Sequence, residues 1–130
     1  MEWIIDSGAT SHLCGNHDWF TSYHTLDTPC EVILGNKQKI ILAPGIGQIE
    51  VNLGVGKSSQ LTTIHDVLYC PSISHNLLSI PQLTSIGAHM QFANKSCHSI
   101  YGLSKRLIAI AELEDGLYRL PVTVVATETL

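Results

Sequence analysis

The sequence predicts a small, mainly β domain. Its apolar runs are short and punctuated by glycine-bearing turns, residues 48–53 alternate polar and apolar strictly, and only one segment carries helix start and stop signals.

The elements follow in order. Trp3-Ile4-Ile5 is a short apolar strand ending at an acid. Residues 31–34 form a second strand, stopped by the turn pair Gly35-Asn36. Residues 39–42 and 48–53 read as two strands around a tip at Pro44-Gly45-Ile46-Gly47, a long hairpin. A turn over residues 54–59 leads to strands at 61–64 and 66–69. Ser79 then reads as the N-cap of a helix of about two turns. Pro81 fits its first turn, Gln82 completes a capping box, Leu83 and Ile86 give an apolar face, and Gly87 ends it. Met90 and Phe92 alternate as a strand. Residues 107–111 and 116–120 predict a terminal hairpin across Glu112, Glu114 and Asp115. Residues 122–125 pair or fray.

The 130 residues suit one domain, 1–130. Charged residues make up 14% of the chain, against about 25% in average domains. So few charges leave apolar surface to cover and favour an interface between copies. The net charge is −4, and the 7 Lys and Arg are scattered, so no nucleic-acid partner is expected. Cys14, Cys30, Cys70 and Cys97 contain no CxxC pair, and no signal peptide is expected. They read as reduced thiols in a cytoplasmic setting. No run is long enough to span a membrane. His12, Cys14 and His17 lie close together, as do Cys97 and His98, but without the spacing of a known zinc site. No metal or other cofactor is expected, and His12 is expected at the surface.

The segment richest in chemistry is Trp3-Ile4-Ile5-Asp6-Ser7-Gly8-Ala9. A rigid strand delivers Asp6 into a tight turn of small residues. Hydrolysing a peptide without a metal or a nucleophilic side chain needs an activated water and an acid for the leaving group. Two carboxyls sharing one proton supply both, as in aspartic proteases. With one such segment per chain, the second carboxyl is Asp6 of another copy. Gly8 permits the sharp turn and lets its N–H approach the carboxylate.

These residues resemble the protease of Copia-type long-terminal-repeat retrotransposons, a branch of the retropepsin-like aspartic proteases. The resemblance rests on residues 3–12, on Gly45-Ile46-Gly47, and on Asp66-Val67-Leu68-Tyr69-Cys70-Pro71 with residues 76–83, in the family's order. Ser7 stands where retroviral relatives usually have Thr, and Leu77-Leu78-Ser79 where they have two hydrophobics and a glycine.

The resemblance implies a retropepsin-like half-barrel with a flap hairpin and one short helix. It implies a homodimer with Asp6 catalytic, Ser7 locking the two loops, and Gly8 and Ala9 completing the turn. Pro44, Gly45, Ile46 and Gly47 would form the flap, and Ile41, Leu68 and Leu77 the substrate pocket. The segment 76–78 is expected in the core. The dimer sheet would draw on residues 2–4 and on strands within 107–125, a stretch that also resembles the link toward integrase. The substrate would be an extended segment of the element's own Gag-Pol polyprotein, cut in the cytoplasm within virus-like particles. The rival reading is a catalytically silent or domesticated dimerisation module.

Overall fold

A computed structural model describes residues 2–6, 8–34, 39–55, 58–91, 97–101, 107–115, 117–121 and 123–124. Among them are eleven strands and one α-helix. The strands are β1 (Glu2–Asp6), β2 (His12–Cys14), β3 (Phe20–Leu34), β4 (Lys39–Val55), β5 (Ser58–Tyr69) and β6 (Asn76–Ser79). After helix α1 (Ile80–Ser85) come β7 (His89–Gln91), β8 (Cys97–Tyr101), β9 (Leu107–Glu114), β10 (Leu117–Pro121) and β11 (Thr123–Val124).

The strands form one sheet in the order β11-β4-β5-β2-β6-β1-β10-β9-β8-β7, with β3 also on β4. The sheet is an open path, but it curls far enough for β4 to lie against β9. This is a mainly β arrangement with one short helix, as the apolar pattern predicts, and its curl is barrel-like.

Most ladders are antiparallel. Two parallel ones matter for the site, β1 with β6 and β2 with β5. Since β6 also pairs antiparallel with β2, it lies between β1 and β2. The chain must therefore cross the end of β6 between residues 6 and 12.

Alternation along these strands separates two apolar clusters. Trp3, Ile5, Cys14, Ile49, Val51, Val67 and Leu78 belong to the main one. Leu13, Ile41, Ala43, Leu68 and Cys70 form the second, with Leu77, Val32 and Leu34 packed on it. Neighbours such as Leu13 and Cys14, Val67 and Leu68, or Leu77 and Leu78 thus point to opposite faces, as a pleated strand requires. The sheet β5-β2-β6 is a wall shared by two cores. Trp3, fully buried, is the largest side chain of the main one.

The helix forms where its caps predict. Ser79 Oγ accepts from the Gln82 N–H (3.2 Å), and Gly87 follows with a φ of 93°. Ile86 departs from expectation, since at 66% exposure it faces solvent. A six-residue helix has room for one apolar contact line, which Ile80 and Leu83 fill against the main cluster. The terminal hairpin is present: Leu117 pairs with Glu114, and Asp115 between them has a left-handed φ of 52°. Phe92 and residues 122 and 125 lie outside the described residues.

The hairpin tip at residues 44–47 is corrected. They lie mid-way along β4, where Gly45 pairs with Thr25 on one side and Tyr69 on the other. The glycines serve close approach rather than a turn. A Cβ on Gly45 would collide with the Tyr23 ring, and one on Gly47 with the Ser22 carbonyl and the Phe20 ring. The β3–β4 and β4–β5 connections fall at residues 35–38 and 56–57, outside the described residues.

Candidate functional site

Asp6 ends β1, half-buried, with Ser79 of β6 as its register partner. Trp3 and Ile5 face the main cluster, so alternation puts Ile4 and Asp6 on the opposite face. That face carries Leu77, the register partner of both Ile4 and Leu13. The carboxylate therefore emerges on the side of the second cluster.

The turn after Asp6 closes on the acid. The Gly8 N–H donates to Asp6 Oδ1 at 2.8 Å. A Cβ on Gly8 would stand 3.3 Å from that oxygen, tighter than ordinary packing, so glycine suits both the bond and the approach. Ala9 is buried beside it. Ser7 lies outside the described residues.

The loop is fixed from below by the end of β6. Ser79 Oγ donates to the Ala9 carbonyl at 2.6 Å while accepting the helix-capping bond. The Ser79 N–H donates to His12 Nδ1 at 2.9 Å. Gln82 Nε2 reaches the Thr10 carbonyl at 3.4 Å, and the Gly15 N–H donates to Asn76 Oδ1 at 3.0 Å. His12, Asn76 and Ser79 are buried polar groups, and these bonds offset the cost of removing them from water.

His12 is thus inside the protein, at 3% exposure, where sequence reasoning expects a surface residue. Burial lowers its pKa from 6.5 to about 4, against the opposing pull of the Asp66 carboxylate. The ring is neutral near pH 7, with its proton on Nε2, because Nδ1 accepts from Ser79. Burial also raises Cys14 and Cys70 to about 11, so both stay protonated thiols. Cys14, Cys30 and Cys70 are free. Among the described residues no group of three His, Cys, Asp or Glu side chains is placed to hold a metal.

The three residues expected to line a pocket come together, for Ile41, Leu68 and Leu77 all lie in the second cluster. Ile41 itself belongs to the cover over Leu68 and Leu77, a two-stranded ribbon of residues 30–34 of β3 paired with 39–43 of β4. β5 pairs with β4 only from Gly45 onward, so the ribbon extends past the ladder with β5. Its inner side chains, Val32, Leu34, Ile41 and Ala43, pack on Leu13, Leu68 and Leu77. Its outer ones, Ile33, Ile40 and Leu42, are 67%, 57% and 53% exposed.

A dimer sheet drawn from residues 2–4 does not fit this arrangement. Glu2, Trp3 and Ile4 pair with Pro121, Leu120 and Arg119 of β10, and β6 fills the other edge of β1. Both edges being satisfied within one chain, β1 offers no ladder to a second copy.

Sequence reasoning finds Asp6, Gly8 and Ala9 but misses the residues beneath them. Ser79 reads only as a helix cap, and His12 as a bystander. The available signal was the hydroxyl in Leu77-Leu78-Ser79 at a place where the resembled family carries glycine.

Residues 3–88, well over half of the chain, match the family described as Pol polyprotein, beta-barrel domain. A putative transposon Ty5-1 protein of Saccharomyces cerevisiae is 34% identical over 79 residues, which cover 61% of this chain and 47% of the relative. The chain thus spans about half the length of that curated relative. No helix among the described residues is long and apolar enough to cross a membrane. With an acid-bearing loop between β1 and β2 in a curled β sheet, and with this match across both, the chain belongs to the beta-barrel domain family of retrotransposon Pol polyproteins.

Proposed function

We propose that this domain is a retropepsin-like aspartic endopeptidase that works as a homodimer and matures its own Gag-Pol polyprotein. The observation that carries the reading is the Gly8 N–H donating to Asp6 Oδ1, with the acid held at the end of an interior strand. An amide aimed at one carboxylate oxygen leaves the other free for a water, or for the carboxyl of a second copy. Asp6 and its symmetry mate share one proton. One carboxyl draws a proton from water while the other hydrogen-bonds the scissile carbonyl.

Substrate lies extended on the face that carries Leu13, Leu68 and Leu77, below the 30–34/39–43 ribbon. The ribbon takes the covering role that residues 44–47 do not fill, and lifting it admits the peptide. Backbone pairing supplies affinity and the apolar wall supplies side-chain pockets. The setting is the cytoplasm, within virus-like particles, where crowding of polyproteins favours dimers.

The test is cleavage of a denatured protein by wild type and Asp6→Asn, at several concentrations from about pH 4 to 7, with and without pepstatin. Cleavage by wild type alone, steeper than first order in protein and blocked by pepstatin, supports the reading. A chain that sediments as a dimer and never cleaves sinks it in favour of a silent dimerisation module.

A further inference from the structure

Resting on that reading, we propose that Ser79 and His12 are positioning residues for the Asp6 loop, a relay of two side chains that fixes where the carboxylate points. The argument starts from topology. The loop over residues 8–11 crosses the end of β6, where the sheet stops supplying ladder partners. The Ala9 carbonyl is buried there, and a buried carbonyl needs a donor. Ser79 Oγ supplies it at 2.6 Å, the shortest of the described bonds around the loop. A glycine or alanine at 79 has no such group.

Ser79 is held in turn. Its N–H donates to His12 Nδ1, and its oxygen receives the Gln82 N–H at the helix start. The hydroxyl hydrogen has then one good direction, toward Ala9. The path from Asp6 through the Gly8 amide, the Ala9 carbonyl and Ser79 to His12 is continuous and bonded on both sides of the loop. Both residues act through Ala9 and do not touch the reacting atoms, so their effect falls on turnover rather than on substrate affinity.

The relay also sets an acid limit. His12 accepts from Ser79 only while Nδ1 is unprotonated; an imidazolium would set an N–H against an N–H. The groups facing it are few. Asp66 of β5 acts on it and favours the protonated ring, and β6 and α1 contain no titratable side chain.

The experiment measures cleavage by the whole chain at concentrations that saturate dimer formation, comparing Ser79→Ala with Ser79→Thr and His12→Leu with His12→Asn. Ser79→Ala should lower kcat about 10- to 100-fold with KM within about threefold, and Ser79→Thr should restore most of it. His12→Asn keeps an acceptor and should retain kcat at neutral pH while losing the acid limb of the profile, whereas His12→Leu should lower kcat throughout. Equal kcat in Ser79→Ala and wild type overturns the proposal, as does failure of Thr and Asn to outperform Ala and Leu. If wild type itself does not cleave, the protease reading falls and backbone relaxation decides the relay. Gly8 and Ala9 amide order parameters falling from about 0.85 toward 0.6 in folded Ser79→Ala support it, and unchanged values overturn it.

Discussion

The Asp6 loop and the 30–34/39–43 ribbon flank the same face of the sheet, yet different forces hold them. The loop is tied by directional bonds, from Gly8 to the acid, from Ser79 to Ala9 and from Ser79 to His12. The ribbon has its own two-strand ladder and one apolar face, and β5 pairs with β4 only from Gly45 onward. Directional bonds fix a position to a fraction of an ångström, whereas apolar packing tolerates sliding and lifting. A hydrolytic site of the proposed kind needs both, a fixed acid and a movable cover.

The sharpest way to break this comparison is at the floor beneath the ribbon. Leu13→Ala, at 1% exposure, should cost about 2–5 kcal/mol in denaturant unfolding. A cost below about 1 kcal/mol would mean the ribbon is not seated as described.

The next effect is a pH dependence. The folded His12 pKa lies below the unfolded value, so the unfolded chain binds the extra proton between about pH 6.5 and 4. Stability is therefore full above that window and falls as pH drops through it, by about 3 kcal/mol for this group. Melts of wild type and His12→Asn from pH 7 to 4 should diverge by that order, and parallel curves would place the imidazole in water.

Smaller again is Gly45→Ala, which forces a methyl against the Tyr23 ring and should cost about 1–3 kcal/mol. A silent substitution there would reopen the possibility of a turn. Least of all, Ile40→Ser on the ribbon's outer face should stay within about 0.5 kcal/mol. Hydrogen exchange should sharpen the contrast further, with amides of residues 30–34 exchanging well before the buried Ser79 amide.

Much of this was readable from the chain alone. Short apolar runs announced β1, the end of β3, the two ends of β4 and most of β5, though not β2 or β6, and Ser79-Ile80-Pro81-Gln82 announced the helix through bonds that are local in sequence. The carboxylate loop was legible for the same reason, since Asp6 and Gly8 are two residues apart. The first part of β3 was not, because residues 20–30 lack an apolar run and bury Phe20 alone. Their pairing is also interrupted, for between Thr25 and Cys30 the strand advances five residues against two on β4, with Pro29 in the unpaired stretch. Residues 44–47 misled because glycine marks a turn and a close strand contact alike, and only the partner, here Tyr23, distinguishes them. The roles of Ser79 and His12 depend on contacts 70 and 67 residues away along the chain, which no local pattern encodes.

The left-handed residue in β5 has a consequence of its own. Asp66 has a φ of 55°, and there β5 moves three residues while β4 moves two. Aspartate tolerates that conformation better than most side chains. The surplus residue resets the parity of the strand, so that Ile64 and Val67, an odd interval apart, both serve the main core. Leu68 is thereby turned the other way, toward the wall below the ribbon. Removing this one residue would exchange inside for outside along half of β5. A single-codon deletion at 66 should thus be far more damaging than a substitution there, and the frame of the second apolar wall is kept by a residue that belongs to neither core.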